Sequence, residues 1–408
     1  MPTALPVILF DDGRGQLSPL TDLRPAFDVR IGALTMAERV RRTFASPLYV
    51  WAAPQHITPL RRETRVPGFG WIGDVKLDSR ALHINGRCPL PPEDVWSLPP
   101  DHVLLERQSG DLIAAHISKP GDHCLAAMGD YTKFTTLYHD EHVLIARPWH
   151  VRKFRDACLA CDLKLLTAGD SAALTTGVTA FGERGLVIAA SARLFPSVVL
   201  DCESGPIVIA DHAVIRPGAI ISGPAYIGPH STVLDRAVIR ANTAIGPHCK
   251  VAGEVSGTVF QGYANKAHDG FLGDSWVGEW VNLGAGTTNS NLLNTYSEII
   301  CRAAPDGPNE RTGETFLGAI IGDHVKTAIC TRIMTGSILH TGSMFATTAP
   351  VSGTVGRFTW ATDAGSRNYR FDKFLDVARA AMARRKLEPS AAYIDRLRSL
   401  AEAGKQPG

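Results

Sequence analysis

The sequence predicts three parts in series: an α/β layered domain over residues 1–190, a solenoid of short parallel strands over 195–353, and a helical extension over 354–408. Three observations carry this: a six-residue repeat in the middle, short apolar strands mixed with an amphipathic stretch in the first half, and two apolar stripes at helical spacing near the end. With 408 residues the chain is too long for one ordinary core and suits two or three domains.

The repeat lies between Ile209 and Ser256 and reads in sixes as IADHAV IRPGAI ISGPAY IGPHST VLDRAV IRANTA IGPHCK VAGEVS. Every block opens with Ile or Val, at 209, 215, 221, 227, 233, 239, 245 and 251. The fifth position is mostly small: Ala213, Ala219, Ala225, Ser231, Ala237, Thr243, Cys249 and Val255. A period of six fits neither a helix nor an alternating hairpin strand. It fits a three-faced prism in which the leading aliphatic side chain fills the interior and the small residue admits the chain at each corner. Gly, Asn, Asp and Pro supply the turns. The pattern resembles the left-handed parallel β-helix, an exception to the right-handed crossover rule.

The phase slips near Glu254 and resumes at Val277, Leu283, Ile321, Thr327, Ile333 and Leu339. The polar stretch from Leu292 to Phe316 is expected to leave the prism as a loop or arm and return. After it, Phe371, Phe374, Val377, Ala378, Ala381 and Met382 form one helical stripe. Ile394, Leu397 and Ala401 form another, with Ser390 as its cap. In the first half, "PVILF", "PLYVWAA", "ALHING", "HVLIARPW" and "LKLL" read as strands and "TMAERVRRTF" as a helix, which suggests an α/β layer structure.

A formal net charge of +2 argues against a general nucleic-acid binder. No apolar run is long enough for a transmembrane helix, and "MPTALPVILFDD" reads as a first strand, not a signal peptide. Cys158 and Cys161 stand one helical turn apart with no second pair to complete a zinc site. The expectation is a reduced, cytoplasmic protein with buried thiols.

The stretch "AHDGFLGDSWVGEWVNLGAGTTNSN", Ala267 to Asn291, resembles the acetyltransferase domain of the bifunctional glucosamine-1-phosphate acetyltransferase/N-acetylglucosamine-1-phosphate uridylyltransferase family. The likeness continues through "IIGDHVKTAICTRIMTG", Ile320 to Gly336. The whole chain resembles sugar nucleotidyltransferases of the same two-domain type.

The resemblance implies acyl transfer from acetyl-CoA, or another acyl-CoA, to an amino-sugar phosphate or sugar nucleotide, with His268 as general base and a homotrimeric assembly. Elementary chemistry agrees: an amine attacking a thioester must lose a proton, and a neutral imidazole suits that transfer near pH 7. The turn Leu283–Gly286 can present backbone amides to the developing oxyanion, with Ala285 at the matching position. Glu254 matches an acidic residue that supports the base; its alternative is an exposed rim carboxylate. Asn282 and Asn291 match sugar- or amine-contacting asparagines, against the alternative of turn or ladder amides.

No covalent intermediate is needed, so Cys249 and Cys330 need not be nucleophiles. Trp276 and Trp280 match no role and suggest packing at a subunit boundary. The family's lysine falls on Ser256 and its tyrosine on the substrate-side Phe271, which argues for an acceptor other than glucosamine 1-phosphate. Arg384, Arg385 and Lys386 can meet coenzyme A phosphates, or can simply complement a helix C-terminus.

"ILFDDGRGQLSPLTDLRPAFDVRIG", Ile8 to Gly32, resembles the opening of sugar nucleotidyltransferases, implying a divergent Rossmann-like nucleotidyltransferase fold. The phosphate loop departs from the pattern: Asp12 and Arg14 stand where glycines are usual, Gln16 for the arginine and Ala26 for the lysine. Glycines let amides approach phosphates and cations neutralise them. Asp12 would repel a triphosphate unless metal lay between. Asp11 and Asp12 are candidate Mg²⁺ ligands if this domain is active, and "HINGRCP" places Arg87 where the family has a metal-binding aspartate. Three functions follow: an acyltransferase, a bifunctional enzyme that also transfers a nucleotidyl group from UTP or dTTP to a sugar 1-phosphate, and a sugar-nucleotide-binding scaffold.

Overall fold

The computed structural model describes residues 5–52, 60, 68–72, 80–119, 129–168 and 171–404. The chain forms two compact units. One comprises residues 1–17, 23–29 and 34–147; the other comprises 18–22, 30–33 and 148–408.

In the first unit β1 (Val7–Asp11) pairs in parallel with both β2 (Leu48–Ala52) and β4 (Ala81–Asn85), and β3 (Phe69–Trp71) flanks β2. Helix α1 (Met36–Thr43) begins at a capping box in which the Thr35 hydroxyl and Glu38 carboxylate satisfy each other's backbone amides. Beyond β4 lie β6 (Leu112–Ile117), antiparallel to it, then β5 (His102–Glu106) and β7 (Thr135–His139). The sheet order is β3-β2-β1-β4-β6-β5-β7. This is a mixed sheet of the expected α/β class.

The β5–β6 hairpin and the short helix α2 (Glu93–Trp96) escaped the sequence reading. Two expected strands are absent. "HVLIARPW" is irregular because its backbone amides have other partners: Glu106 accepts from Val143 and Leu144, and the Arg87 carbonyl accepts from Ile145. "LKLL" completes helix α3 (His150–Leu166), whose buried stripe runs through Cys158, Leu159, Asp162 and Leu163.

The second unit is the expected parallel β-helix. Every leading hexad residue from Ile209 to Val251 is fully buried, as are the small residues from Ala213 to Val255. Successive coils pair in register, for example Ile215 with Val233 and Val233 with Val251. Pairing begins earlier than residue 195, with Thr179–Phe181 beside Val199–Asp201 and Leu186–Ile188 beside Ile207–Ile209. It runs past 353 to Thr359–Thr362, which hairpins with Gly365–Asn368. The first coil escaped notice because Ile188, Leu194 and Leu200 keep the six-residue spacing among themselves but are out of phase with the hexads that open at Ile209.

The arm leaves and returns as expected: Leu292 bridges Phe316, and Ile300–Cys301 pairs antiparallel with Glu310–Arg311. Helices α4 (Phe371–Ala383) and α5 (Ala391–Ala403) follow, α5 capped by Ser390.

One corner row repeats a left-handed turn at His212, His230, His248, Tyr263, Trp280 and His324, with φ between 53° and 61°. Such a backbone is uncommon outside glycine, and here the stacking of the side chains offsets its cost. The rings from His212 to Trp280 stack at 4.5–4.8 Å, the spacing of the coils themselves. Trp280 belongs to this row, and Trp276 is buried with its Nε1 donating to the Arg30 carbonyl at 2.9 Å. Both tryptophans therefore pack inside the chain and not, as the sequence suggested, at a subunit boundary.

Within this unit Asp22 is buried under Arg357, which donates to both its oxygens at 2.7 and 3.0 Å, and Ser18 bridges Asp22 to His340 Nδ1. The guanidinium holds the Asp22 carboxyl down to about 2 against burial, while burial holds His340 down to about 4. A histidine kept neutral in the fold binds its proton more readily when unfolded, so its contribution is present above pH 6.5 and is lost as pH falls toward 4. The melting temperature should drop across that window, and less so in His340→Gln. Asp22→Asn should destabilise by about 3–5 kcal/mol at pH 7, read by denaturant titration, because Arg357 loses its buried counter-charge.

Candidate functional site

The slip in the repeat is the key to the site. Val251 pairs with Lys266, sooner than the hexads would bring the next coil round, and Val255 pairs with Leu272. A lysine thus occupies an interior position where Ile or Val is the rule, and it is 2% exposed. Its Nζ donates to the carbonyls of Ala252 and His268, both at 3.0 Å. Burial pushes the ammonium down to about 8, with Asp269 opposing the shift.

Lys266 therefore ties the His268 backbone to the preceding coil. The His268 imidazole is exposed and engages no protein group among the described residues. Gly270, at φ 115°, packs so closely on the next corner that a Cβ there would lie 2.1 Å from the Thr287 carbonyl oxygen and 3.4 Å from the Gly286 carbonyl carbon. The His268 corner accordingly sits on the corner formed by Ala285–Thr287. The Ala285 carbonyl accepts from Cys330 N at 2.6 Å, and its own N–H takes no protein acceptor among the described residues.

Glu254 and Phe271 are cross-strand neighbours on the face that follows this corner. The Glu254 carboxylate is paired with Arg240 Nε at 2.5 Å, and both side chains are substantially exposed, so its partner is a cation and not the imidazole. Asn291 Nδ2 donates to Asp274 at 2.8 Å, where Arg152 and Arg155 also converge. Phe271 and Asn291 both lie against Gly273, whose missing Cβ would come within 2.5 Å of the Phe271 ring and 2.9 Å of Asn291 Nδ2.

Asn282 belongs to the face before the corner. Its amide oxygen accepts from Asn265 Nδ2 at 2.8 Å. With Arg384 and Arg385 it lines a cavity of about 310 Å³, alongside Lys250 and Lys326; Lys386 does not line it. The predicted residues thus fall into two groups, His268–Ala285–Glu254–Phe271–Asn291 around one corner and Asn282–Arg384–Arg385 in a cavity. Sequence reasoning missed Lys266 and Lys326. The signal for Lys266 was present: reading Val255, Phe260, Lys266, Leu272 and Val277 as one interior column places it in phase.

In the first unit, Asp11, Asp12, Asn85 and Arg87 gather at the carboxyl ends of β1 and β4, where strand order reverses and open α/β sheets bind ligands. Both Asp11 oxygens accept backbone amides, from Gly13 at 2.8 Å and Ala26 at 2.7 Å. Arg87 grips Asp12 through Nε and a terminal nitrogen at 2.8 and 2.7 Å, and also reaches Asp111 at 2.6 Å. Burial raises the Asp11 carboxyl, whereas the Arg87 bonds lower that of Asp12 against its own burial. The carboxylates expected to hold Mg²⁺ are thus engaged by amides and a guanidinium. Among the described residues, no group of three or more His, Cys, Asp or Glu is placed to hold a metal ion.

Residues 7–171 match the family model described as sugar nucleotidyl transferase. Over 83 residues the chain is 36% identical to the bifunctional sugar-1-phosphate nucleotidylyltransferase/acetyltransferase of Sulfurisphaera tokodaii, a stretch that is 20% of each chain. The chain therefore matches about a fifth of the length of that curated relative. Among solved structures it is similar to the Francisella novicida UDP-N-acetylglucosamine acyltransferase, with 14% identity, 50% of this chain and 73% of that one covered, and a TM-score of 0.20. It is also similar to a mutant of the GDP-perosamine N-acetyl transferase from Caulobacter crescentus, in complex with CoA and GDP-perosamine, with 11% identity, 88% and 95% covered, and a TM-score of 0.12. Likenesses this slight say nothing of substrate. The two-part resemblance holds on the family match, the curated relative and the chain's own β-helix. No described helix is long and apolar enough to cross a membrane.

Replacing Lys266 by Met keeps the length but leaves the Ala252 and His268 carbonyls without their donor. Lys266→Met should therefore release the His268 corner, visible as faster amide hydrogen exchange at 267–270. Unchanged exchange there would show that the corner stands without the ammonium.

Proposed function

We propose that the chain is an acyltransferase that moves an acyl group, acetyl from acetyl-CoA in the simplest case, onto the amine of an amino-sugar phosphate or sugar nucleotide. The observation that carries this reading is the exposed, unengaged His268 imidazole on a corner stacked directly on that of Ala285, whose N–H is unpaired among the described residues. The amine attacks the thioester carbonyl, forming the C–N bond. His268 takes the amine proton, and the Ala285 N–H faces the oxyanion. Collapse breaks the C–S bond, and the proton on His268 leaves with the thiolate. Phe271 and Asn291, gathered at Gly273, would contact the acceptor, and Phe271 brings an apolar ring where a tyrosine would bring a hydroxyl. Glu254 would support the base only after exchanging Arg240 for the imidazole.

The nucleotidyl-transfer reading is favoured by the family match over 7–171. Against it stands the Arg87–Asp12 pair, which neutralises the carboxylate that a metal-bound triphosphate would need.

One assay addresses both readings. Wild type and His268→Ala are incubated with acetyl-CoA and a panel of amino-sugar phosphates and sugar nucleotides, and thiol release is followed. A second arm follows pyrophosphate from UTP or dTTP, sugar 1-phosphate and Mg²⁺. Thiol release should fall about 10²-fold or more in the variant, as loss of a general base does, and no pyrophosphate should form. Equal thiol release with matched acetylated product in both proteins would refute the base assignment; pyrophosphate would restore the bifunctional reading.

We further propose a homotrimer with the acyl donor in the groove between neighbouring prisms. Light scattering on the eluted protein should then give three times the chain mass of 43.9 kDa, and a monomer that is fully active would end that proposal.

A further inference from the structure

We infer that a second cavity, of about 490 Å³, between the C-terminal hairpin and helices α4 and α5 is a binding site for a small aromatic carboxylate, a ligand with a planar apolar body and one anionic head. Its walls follow from where the chain reverses. Thr359–Thr362 hairpins with Gly365–Asn368, and the Tyr369 amide then donates to the Phe358 carbonyl at 2.6 Å, so both residues stand at the hairpin base. Helix α4 opens at Phe371, whose ring centre is 6.2 Å from that of Phe358. From the other side α5 brings Ala401 and then Gly404, where a Cβ would lie 3.2 Å from Arg357 Cβ. Three aromatic rings, Leu375 and small residues thus make most of the lining. None of these residues belongs to the His268 corner or to the cavity at Asn282.

Charge decides the head of the ligand. Three guanidiniums border the cavity, and two are already engaged: Arg357 by Asp22 at 2.7 Å and Arg370 by Asp372 at 2.6 Å. The third, Arg398, lies over the Phe371 ring with Cζ 4.7 Å from its centre, and among the described residues no ion pair or hydrogen bond engages it. Stacking uses the face of a guanidinium and leaves its N–H edge free, the edge that grips a carboxylate through two parallel bonds. One unengaged cation matches one negative charge; a phosphate dianion would bring an excess, and a neutral ligand would leave the fork unused. The rings decide the body. Phe358 and Tyr369 both meet Phe374 edge-on, at 78° and 86°, and a ligand ring would continue that packing. The volume falls within the roughly 300–1,000 Å³ usual for small-molecule sites, and about 150 Å³ is enough to hold benzene. A ring with a short acidic tail therefore fits, with Arg398 at the end of the tail.

Occupancy would join the hairpin to both helices. Phe374 in turn meets His324 edge-on at 5.5 Å, and His324 Nε2 shares a 2.7 Å hydrogen bond with the Tyr393 hydroxyl of α5. A ligand that binds the folded chain should therefore also raise its melting temperature. Calorimetric titration of the full-length protein with 3-phenylpropanoate, 3-phenylpropanamide and acetate tests the site. The aromatic acid should bind and raise the melting temperature, with the amide and acetate at least tenfold weaker. Arg398→Gln should weaken the acid at least tenfold. Ala401→Phe, which fills the cavity and keeps the cation, should abolish binding. Arg398 is exposed on α5, so its replacement leaves the fold intact even where the larger side chain at 401 does not. No binding of the acid, equal binding of acid and amide, equal binding of acid and acetate, or undiminished binding by Arg398→Gln would overturn the site. His268→Ala should bind the acid as wild type does, so this result stands apart from the fate of the acyltransferase reading.

Discussion

The interior column of the β-helix is the constraint on which the rest of the second unit depends. Each coil contributes fully buried side chains from Ile209 onward, and each backbone pairs with the coils above and below. A coil whose interior residue were missing would leave a void and unpaired amides together. The column therefore dictates where every outward residue points, including His268, Asn282 and Phe271. Function in such a fold is a matter of which outward positions coincide from coil to coil.

Lys266 is the place where the column departs from its own rule. An ammonium inside an apolar prism is unfavourable unless its donors are used, and here they grip two carbonyls, one of them that of His268. The slip in the repeat and the site corner are one feature: a coil shortened by the slip sets the corner on the Ala285 turn below, and the buried lysine secures it. Local strain and candidate chemistry coincide, as they often do where a regular fold carries a site.

The first unit follows a different logic. Its parallel strands converge at a switch point, where a nucleotide-binding fold would keep glycines and free charge. This chain has filled the point with its own ions: Asp12, Arg87, Asp111 and Arg14 form one connected network. A closed network of this kind stabilises the loop and at the same time competes with any triphosphate for the same guanidinium. The chemistry of the two units is thus separable, one held shut by internal pairing and the other left with an exposed imidazole and, among the described residues, cations outside any ion pair.

Much of this was legible in the residues. The hexads determined the prism, its interior set and its corners, because a period of six admits no other arrangement of so many buried aliphatics. Ser390 declared its helix start through capping chemistry that is local by nature. The arm between Leu292 and Phe316 was marked by loss of phase together with its polar composition. What the sequence could not determine is which partner each polar group takes once coils are stacked. Glu254 goes to Arg240, Asp11 to backbone amides and Asp12 to Arg87, all choices made across distance in the chain. Lys266 stands in phase with the interior column although its residue type reads as surface, and Asn282 meets Arg384 and Arg385 only because a helix much later in the chain folds back over its face. Periodicity is a property of neighbours along the chain, whereas charge pairing is settled by neighbours in space.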